Sequence, residues 1–110
     1  MVQYQARLDN AFAALSDSTR RGILLKLGRE DASITELAQK FGMTLTGMKK
    51  HVTILEDAGL VTTQKVGRVR TARLGPSKLK DESDWIETYR TMLNERLDRL
   101  GDFLERTKEK

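Results

Sequence analysis

Between Thr44 and Thr53 the chain places three threonines, two lysines and its single histidine, as Thr44, Thr46, Lys49, Lys50, His51 and Thr53. Hydroxyls, ammonium groups and an imidazole so closely spaced can hydrogen-bond to phosphate oxygens or to base edges. They cannot assemble the nucleophile, base and orienting group that covalent catalysis needs, because the 110 residues hold one His and no Cys. The same two counts exclude disulfides and zinc–thiolate sites. Asp81, Glu82, Asp84 and Glu87 read as favourable charges at a helix start rather than as ligands of a hard cation. The expectation is a protein that is not an enzyme, with no cofactor and no metal site.

A second charged feature follows downstream. Residues 61–80 carry Lys65, Arg68, Arg70, Arg73, Lys78 and Lys80 and no carboxylate, while residues 81–110 carry an acidic excess. A short stretch with undiluted positive potential attracts polyanions. Arg20 and Arg21, by contrast, lie near a helix start and read as structural residues rather than ligand contacts.

These side chains need elements to position them. Leu8, Ala11, Phe12 and Leu15 recur at helical spacing, so an amphipathic helix opens the chain and ends near Ser16-Asp17-Ser18. Asp17 is placed to cap a second helix, which carries Ile23, Leu24 and Leu27 and closes at Gly28. Ser33-Ile34-Thr35-Glu36 fits the reciprocal capping box of a third helix, with Ile34, Leu37, Ala38 and Phe41 on its apolar face. Gly42 then permits a left-handed bend, and Thr44 caps a fourth helix. There, Met48, Val52 and Leu55 face inward, which turns Thr46, Lys49, Lys50 and Thr53 outward. Two short helices across a Gly-containing turn make a helix-turn-helix.

Past Gly59 the pattern changes to β-branched runs at 60–66 and 69–74, separated by Gly67-Arg68, which reads as a hairpin carrying the basic block. Gly75-Pro76 ends it. From Glu82 to about Thr107, one long helix bears Ile86, Tyr89, Leu93, Leu97, Leu100 and Leu104 as a stripe. A helix of roughly 25 residues is about 38 Å long, more than a small body can cover, so a second subunit is its natural cover. Leu8 and Phe12 are expected to join that dimer interface. Trp85, Tyr89, Met92 and Phe103 read as part of the same surface rather than as a ligand pocket.

With 38% hydrophobic and 33% charged residues and a net charge of +4, the chain is balanced for one compact domain with a helical arm. No apolar run is long enough to cross a bilayer, so no membrane is expected. The first ten residues lack a basic cluster followed by an apolar stretch, so no secretory signal and a cytoplasmic location are expected.

The order helix, helix, helix-turn-helix, hairpin is that of a winged helix. In Ala14-Leu15-Ser16-Asp17-Ser18-Thr19-Arg20-Arg21, in residues 51–61 (His51-Val52-Thr53-Ile54-Leu55-Glu56-Asp57-Ala58-Gly59-Leu60-Val61) and in Gly67-Arg68, the chain resembles the ArsR family of bacterial transcriptional regulators. The resemblance implies a mostly α fold with a small β-hairpin, a winged helix-turn-helix over residues 1–80 including the N-terminal helix. Residues 81–110 would form a long C-terminal dimerisation helix. It also implies that Thr44, Thr46, Lys49, Lys50 and His51 lie where the family's recognition helix meets DNA, with Arg68 at the wing tip. Thr53, Lys65 and Arg70 extend the same expected DNA-binding surface. Without the Cys, His and carboxylate ligands of its metal sensors, the chain is similar to the family's non-metal-sensing branch.

Two functional readings result. The first is a homodimeric, sequence-specific regulator of transcription, a repressor, bound to an inverted-repeat operator in double-stranded DNA. Whether a small-molecule effector relieves binding stays open. The alternative is a winged-helix interaction module whose basic hairpin docks an acidic protein without reading DNA. Leu45, where the family often carries Gln, and Gly47 within the helix keep that alternative open.

Overall fold

The computed structural model describes residues 2–108. Its elements are α1 (Val2–Leu15), α2 (Ser18–Leu27), β1 (Ala32–Ser33), α3 (Ile34–Lys40), α4 (Leu45–Asp57), β2 (Val61–Val66), β3 (Val69–Leu74) and α5 (Lys80–Lys108). Helix starts follow from side chains that take up free amides. The Asp17 carboxylate accepts from the Arg20 amide at 3.0 Å, and Thr44 Oγ1 accepts from the Gly47 amide at 3.0 Å. At α3, Ser33 Oγ accepts from the Glu36 amide at 3.0 Å while the Ser33 amide donates to Glu36 Oε1 at 3.2 Å, completing the capping box. Gly42 adopts the left-handed φ of +62° that turns α3 into α4.

The core lies where these helices meet the sheet. Ile23 of α2, Leu37 of α3, Met48, Val52 and Leu55 of α4, and Val61 of β2 are its largest fully buried side chains. α1 packs on α2 and α4, and α3 packs on α4 and β3. Leu8 shares the inner stripe of α1 with Ala11 and Ala14 and is only 7% exposed. Placed by its spacing on a dimer surface, Leu8 instead belongs to the chain's own core, and Phe12 is half-buried. The spacing of an amphipathic helix identifies an apolar stripe but not which surface covers it.

β2 and β3 form the expected hairpin, with Val66 opposite Val69 across Gly67-Arg68. The sheet is wider than a hairpin, because β1 pairs antiparallel with β3 through Ala32↔Ala72 and Ser33↔Thr71, giving the order β1-β3-β2. Two residues are too few to show the alternation that marks a strand, and β1 exists only through a partner far along the chain. The whole is a mostly α winged helix-turn-helix with a small antiparallel sheet and a long C-terminal helix.

Behind the sheet, Gly75 is locked against a second turn. Its amide donates to the Leu60 carbonyl at 2.8 Å, and a Cβ there would lie 2.5 Å from the Gly59 oxygen and 2.9 Å from the Val61 nitrogen. Backbone atoms cannot swing aside as a side chain can. Gly75→Ala is therefore expected to cost about 2 kcal/mol or more, lowering the thermal midpoint by roughly 10 °C. A melt unchanged from the parent would show that this crossing is loose.

The chain divides into two compact units, one ending at Lys78 and one beginning at Leu79. The second consists of α5, 29 residues and so about 44 Å long. It begins before the expected Glu82, with the Ser83 amide bonded to the Leu79 carbonyl at 2.8 Å and Lys80 paired with Asp84 at 3.1 Å. Its apolar residues stay open: Ile86, Tyr89, Leu93, Leu97, Leu100 and Leu104 are 44–62% exposed. Trp85 stacks on Tyr89 with ring centroids 5.7 Å apart.

Candidate nucleic-acid interface

α4 presents two faces. Met48, Val52 and Leu55 anchor it in the core, and Thr46, Lys49, Lys50 and Thr53 are exposed on the other side. Burial of the first set dictates exposure of the second, because at about 100° per residue Met48, Val52 and Leu55 cluster on one side of the helix while Thr46, Lys49, Lys50 and Thr53 fall on the other. Thr44 is exposed at the N-terminus, where its hydroxyl already serves the Gly47 amide. The chain thus brings two ammonium groups and two exposed threonine hydroxyls together on one rigid element. Among the described residues, neither Lys49 nor Lys50 is paired with a carboxylate.

On the hairpin, Lys65, Arg68 and Arg70 are all exposed. The basic block is nevertheless less uniform than its composition suggests. Arg73 approaches Asp31 at 3.6 Å, and Lys80 is held by Asp84 within α5. Counting charges along a stretch misses carboxylates that folding brings from elsewhere. Arg70 is also tethered: its Nη1 donates to Thr63 Oγ1 at 2.9 Å, and that hydroxyl donates to Glu56 Oε2 at 2.8 Å. The relay ties β3 through β2 to the last turn of α4. Thr63 and Glu56 were not foreseeable as site residues, because neither has a chemical signature until the hairpin folds back on α4.

His51 lies on the flank of α4 rather than on its outward face. Its side chain is 20% exposed, with Nδ1 3.2 Å from Arg20 Nη1 and 3.9 Å from Asp17 Oδ2. Arg20 is the hub of this corner. Its Nε donates to the Ala14 carbonyl at 2.9 Å and its Nη2 to the Ala13 carbonyl at 3.0 Å, at the end of α1, where the Ala13 oxygen also accepts from Ser16. Arg21 does the same for Leu15 at 2.7 Å. Both arginines have the structural role expected of them.

The Arg20 amide, and with it the Arg20 guanidinium, holds the Asp17 carboxyl below its ordinary value of 3.8. A carboxylate more acidic in the fold than in the unfolded chain stabilises the fold at any pH above its unfolded value. That contribution drains away as acid takes the pH below 3.8 and on through the lower folded value. Asp17→Asn keeps an acceptor oxygen but cannot titrate. Its thermal midpoint is expected to fall less steeply than the parent's below about pH 4, and parallel curves from pH 5 to pH 2 would refute the assignment.

Among the described residues, no three His, Cys, Asp or Glu side chains converge closely enough to hold a metal ion. None of the described helices is long and apolar enough to cross a membrane.

Comparison with known proteins agrees with this geometry. A helix-turn-helix domain family matches residues 15–64, the span from the end of α1 into β2. The HTH-type transcriptional regulator YuzN of Bacillus subtilis is 39% identical over 87 residues, covering 72% of this chain and 95% of YuzN. The transcriptional repressor SdpR, also of Bacillus subtilis, is 29% identical over 82 residues, covering 74% of this chain and 91% of SdpR. The crystal structure of the ArsR family transcriptional regulator RHA00566 superposes with a TM-score of 0.76 at 37% identity, covering 86% of this chain and 97% of that one. With the helix-turn-helix, the basic hairpin and the long final helix all in place, the chain belongs to the ArsR family of winged helix-turn-helix transcriptional regulators.

Proposed function

We propose that the protein is a homodimeric, sequence-specific DNA-binding repressor that acts on an inverted-repeat operator. The observation that carries this reading is the pair of exposed lysines, Lys49 and Lys50, without a carboxylate partner among the described residues, standing with Thr46 and Thr53 on the exposed face of α4. In this reading α4 enters the major groove, its hydroxyls and amines reaching base edges and phosphates. Thr44 and His51 border that face, and Lys65, Arg68 and Arg70 hold the flanking backbone. The likeness to the repressor SdpR supports repression. The open apolar stripe of α5 supports pairing of two copies. Acting on DNA, the protein works in the cytoplasm.

Selection from random duplex DNA tests the reading. An enriched palindrome with half-sites about 34 Å apart is expected. If each subunit neutralises about four phosphates, the slope of log K against log salt is near −7 for the dimer. Failure to enrich any sequence, or binding indifferent to salt, would refute it. The exposed Val66 and Val69, 71% and 53% open at the hairpin tip, favour one second reading, in which the hairpin docks an acidic protein. The same selection decides between the two.

A further inference from the structure

The contact between Arg20 and His51 has a chemical consequence that the DNA-binding surface alone does not. A guanidinium has five N–H donors and no acceptor, and it stays charged at every accessible pH. At 3.2 Å from Arg20 Nη1, His51 Nδ1 can only be the acceptor, so its proton must sit on Nε2. The competing arrangement has Nδ1 protonated and donating to Asp17, but Oδ2 lies at 3.9 Å, beyond hydrogen-bond reach. Arg20 cannot readily turn away, since its Nε and Nη2 are engaged by the Ala14 and Ala13 carbonyls. At the other edge of the ring, Nε2 enters no hydrogen bond among the described residues. No buried side-chain nitrogen or oxygen among them lacks a partner, so Nε2 reaches solvent.

We propose that Arg20 is the positioning residue that holds Nδ1 of His51 as an acceptor, and so presents Nε2–H as a single, oriented donor to DNA at the edge of α4. The proposal rests on the DNA-binding reading above. Arg20 touches no DNA in this scheme and acts only through His51. A single ring N–H held in one direction differs from the flexible ammonium groups of Lys49 and Lys50 in kind, because it adds a directional hydrogen bond rather than a phosphate ion pair.

His51 is the only histidine, so its ring nitrogens give unambiguous signals in a long-range proton–nitrogen correlation spectrum of the labelled full chain. At pH 8 the parent is expected to show one tautomer, protonated at Nε2, and Arg20→Ala a mixture of both. A proton on Nδ1 in the parent, or the same single tautomer in Arg20→Ala, overturns the proposal. His51→Asn is a second variant that does not depend on Arg20→Ala folding. Its amide oxygen stands in for Nδ1 as acceptor from Arg20, but it has nothing at the position of Nε2. It is expected to melt like the parent and to bind the selected duplex about tenfold more weakly, with the salt slope unchanged. Binding equal to the parent's, or a changed slope, overturns the donor role. If the parent itself binds no duplex, the functional reading falls, while the tautomer spectra still decide what Arg20 does to His51.

Discussion

Lys49→Ala/Lys50→Ala is expected to weaken operator binding by about a thousandfold near 0.15 M salt, through the counterions that four fewer phosphate contacts per dimer no longer release. The salt slope is expected to fall from about −7 to between −3 and −4, since each lost contact removes roughly 0.9. Thermal unfolding should hardly change. Both side chains are exposed, neither bonds to a carboxylate among the described residues, and Ala is at least as good a helix former as Lys. The two measurements together separate this outcome from misfolding. Loss of binding with an equal loss of stability would mean that the α4 lysines support the fold. Loss of affinity with an unchanged slope would mean that they touch bases rather than phosphates. Replacing Lys65 and Arg68 at the hairpin in the same way is a useful contrast, because contacts to the flanking backbone weaken every sequence alike.

What could be read from residues alone follows the range of the forces involved. A cap acts within three residues, so Asp17, Ser33 and Thr44 announce α2, α3 and α4 without any tertiary information. The outward face of α4 is legible for a similar reason: Met48, Val52 and Leu55 define the inside, and Thr46, Lys49, Lys50 and Thr53 are what remains. The two-residue turn at Gly67-Arg68 sets the register of β2 on β3 just as locally. Long-range partners are different. Nothing near Arg73 hints at Asp31, nothing near Ala32 hints at Ala72, and nothing in the spacing of α4 says that His51 meets Arg20. Leu8 shows the same limit in an apolar residue, since periodicity marks it for burial without saying whether its own chain or a partner covers it. The candidate site is therefore legible where one helix builds it and hidden where two elements meet.

Leu93→Glu/Leu97→Glu is expected to break the proposed dimer. Among the described residues, Leu93, Leu97, Leu100 and Leu104 lie one turn apart on α5 and are 44%, 62%, 52% and 57% exposed. An amphipathic helix about 44 Å long does not ordinarily leave such a stripe to water. If a second copy covers it, each leucine contributes about 1.5–3 kcal/mol on burial, and a twofold axis counts both substitutions twice. Four glutamates in that seam would add unpaired buried charge to the lost apolar contact. The dissociation constant of the proposed dimer is expected to rise at least about 10⁴-fold, so that sedimentation velocity finds monomer, against the dimer expected of the parent. Because the unit ending at Lys78 has its own core of Ile23, Leu37, Met48, Val52, Leu55 and Val61, a cooperative melt should survive. Operator binding should fall with the dimer, since one recognition helix then loses the second half-site that its partner holds in place. Glu95→Lys, on the opposite face of α5 by its spacing from Leu93 and Leu97, reverses a charge without touching the stripe. It is expected to leave the dimer intact. A dimer that survived Leu93→Glu/Leu97→Glu unchanged would mean that two copies pair through another surface, and the stripe on α5 would need a different partner.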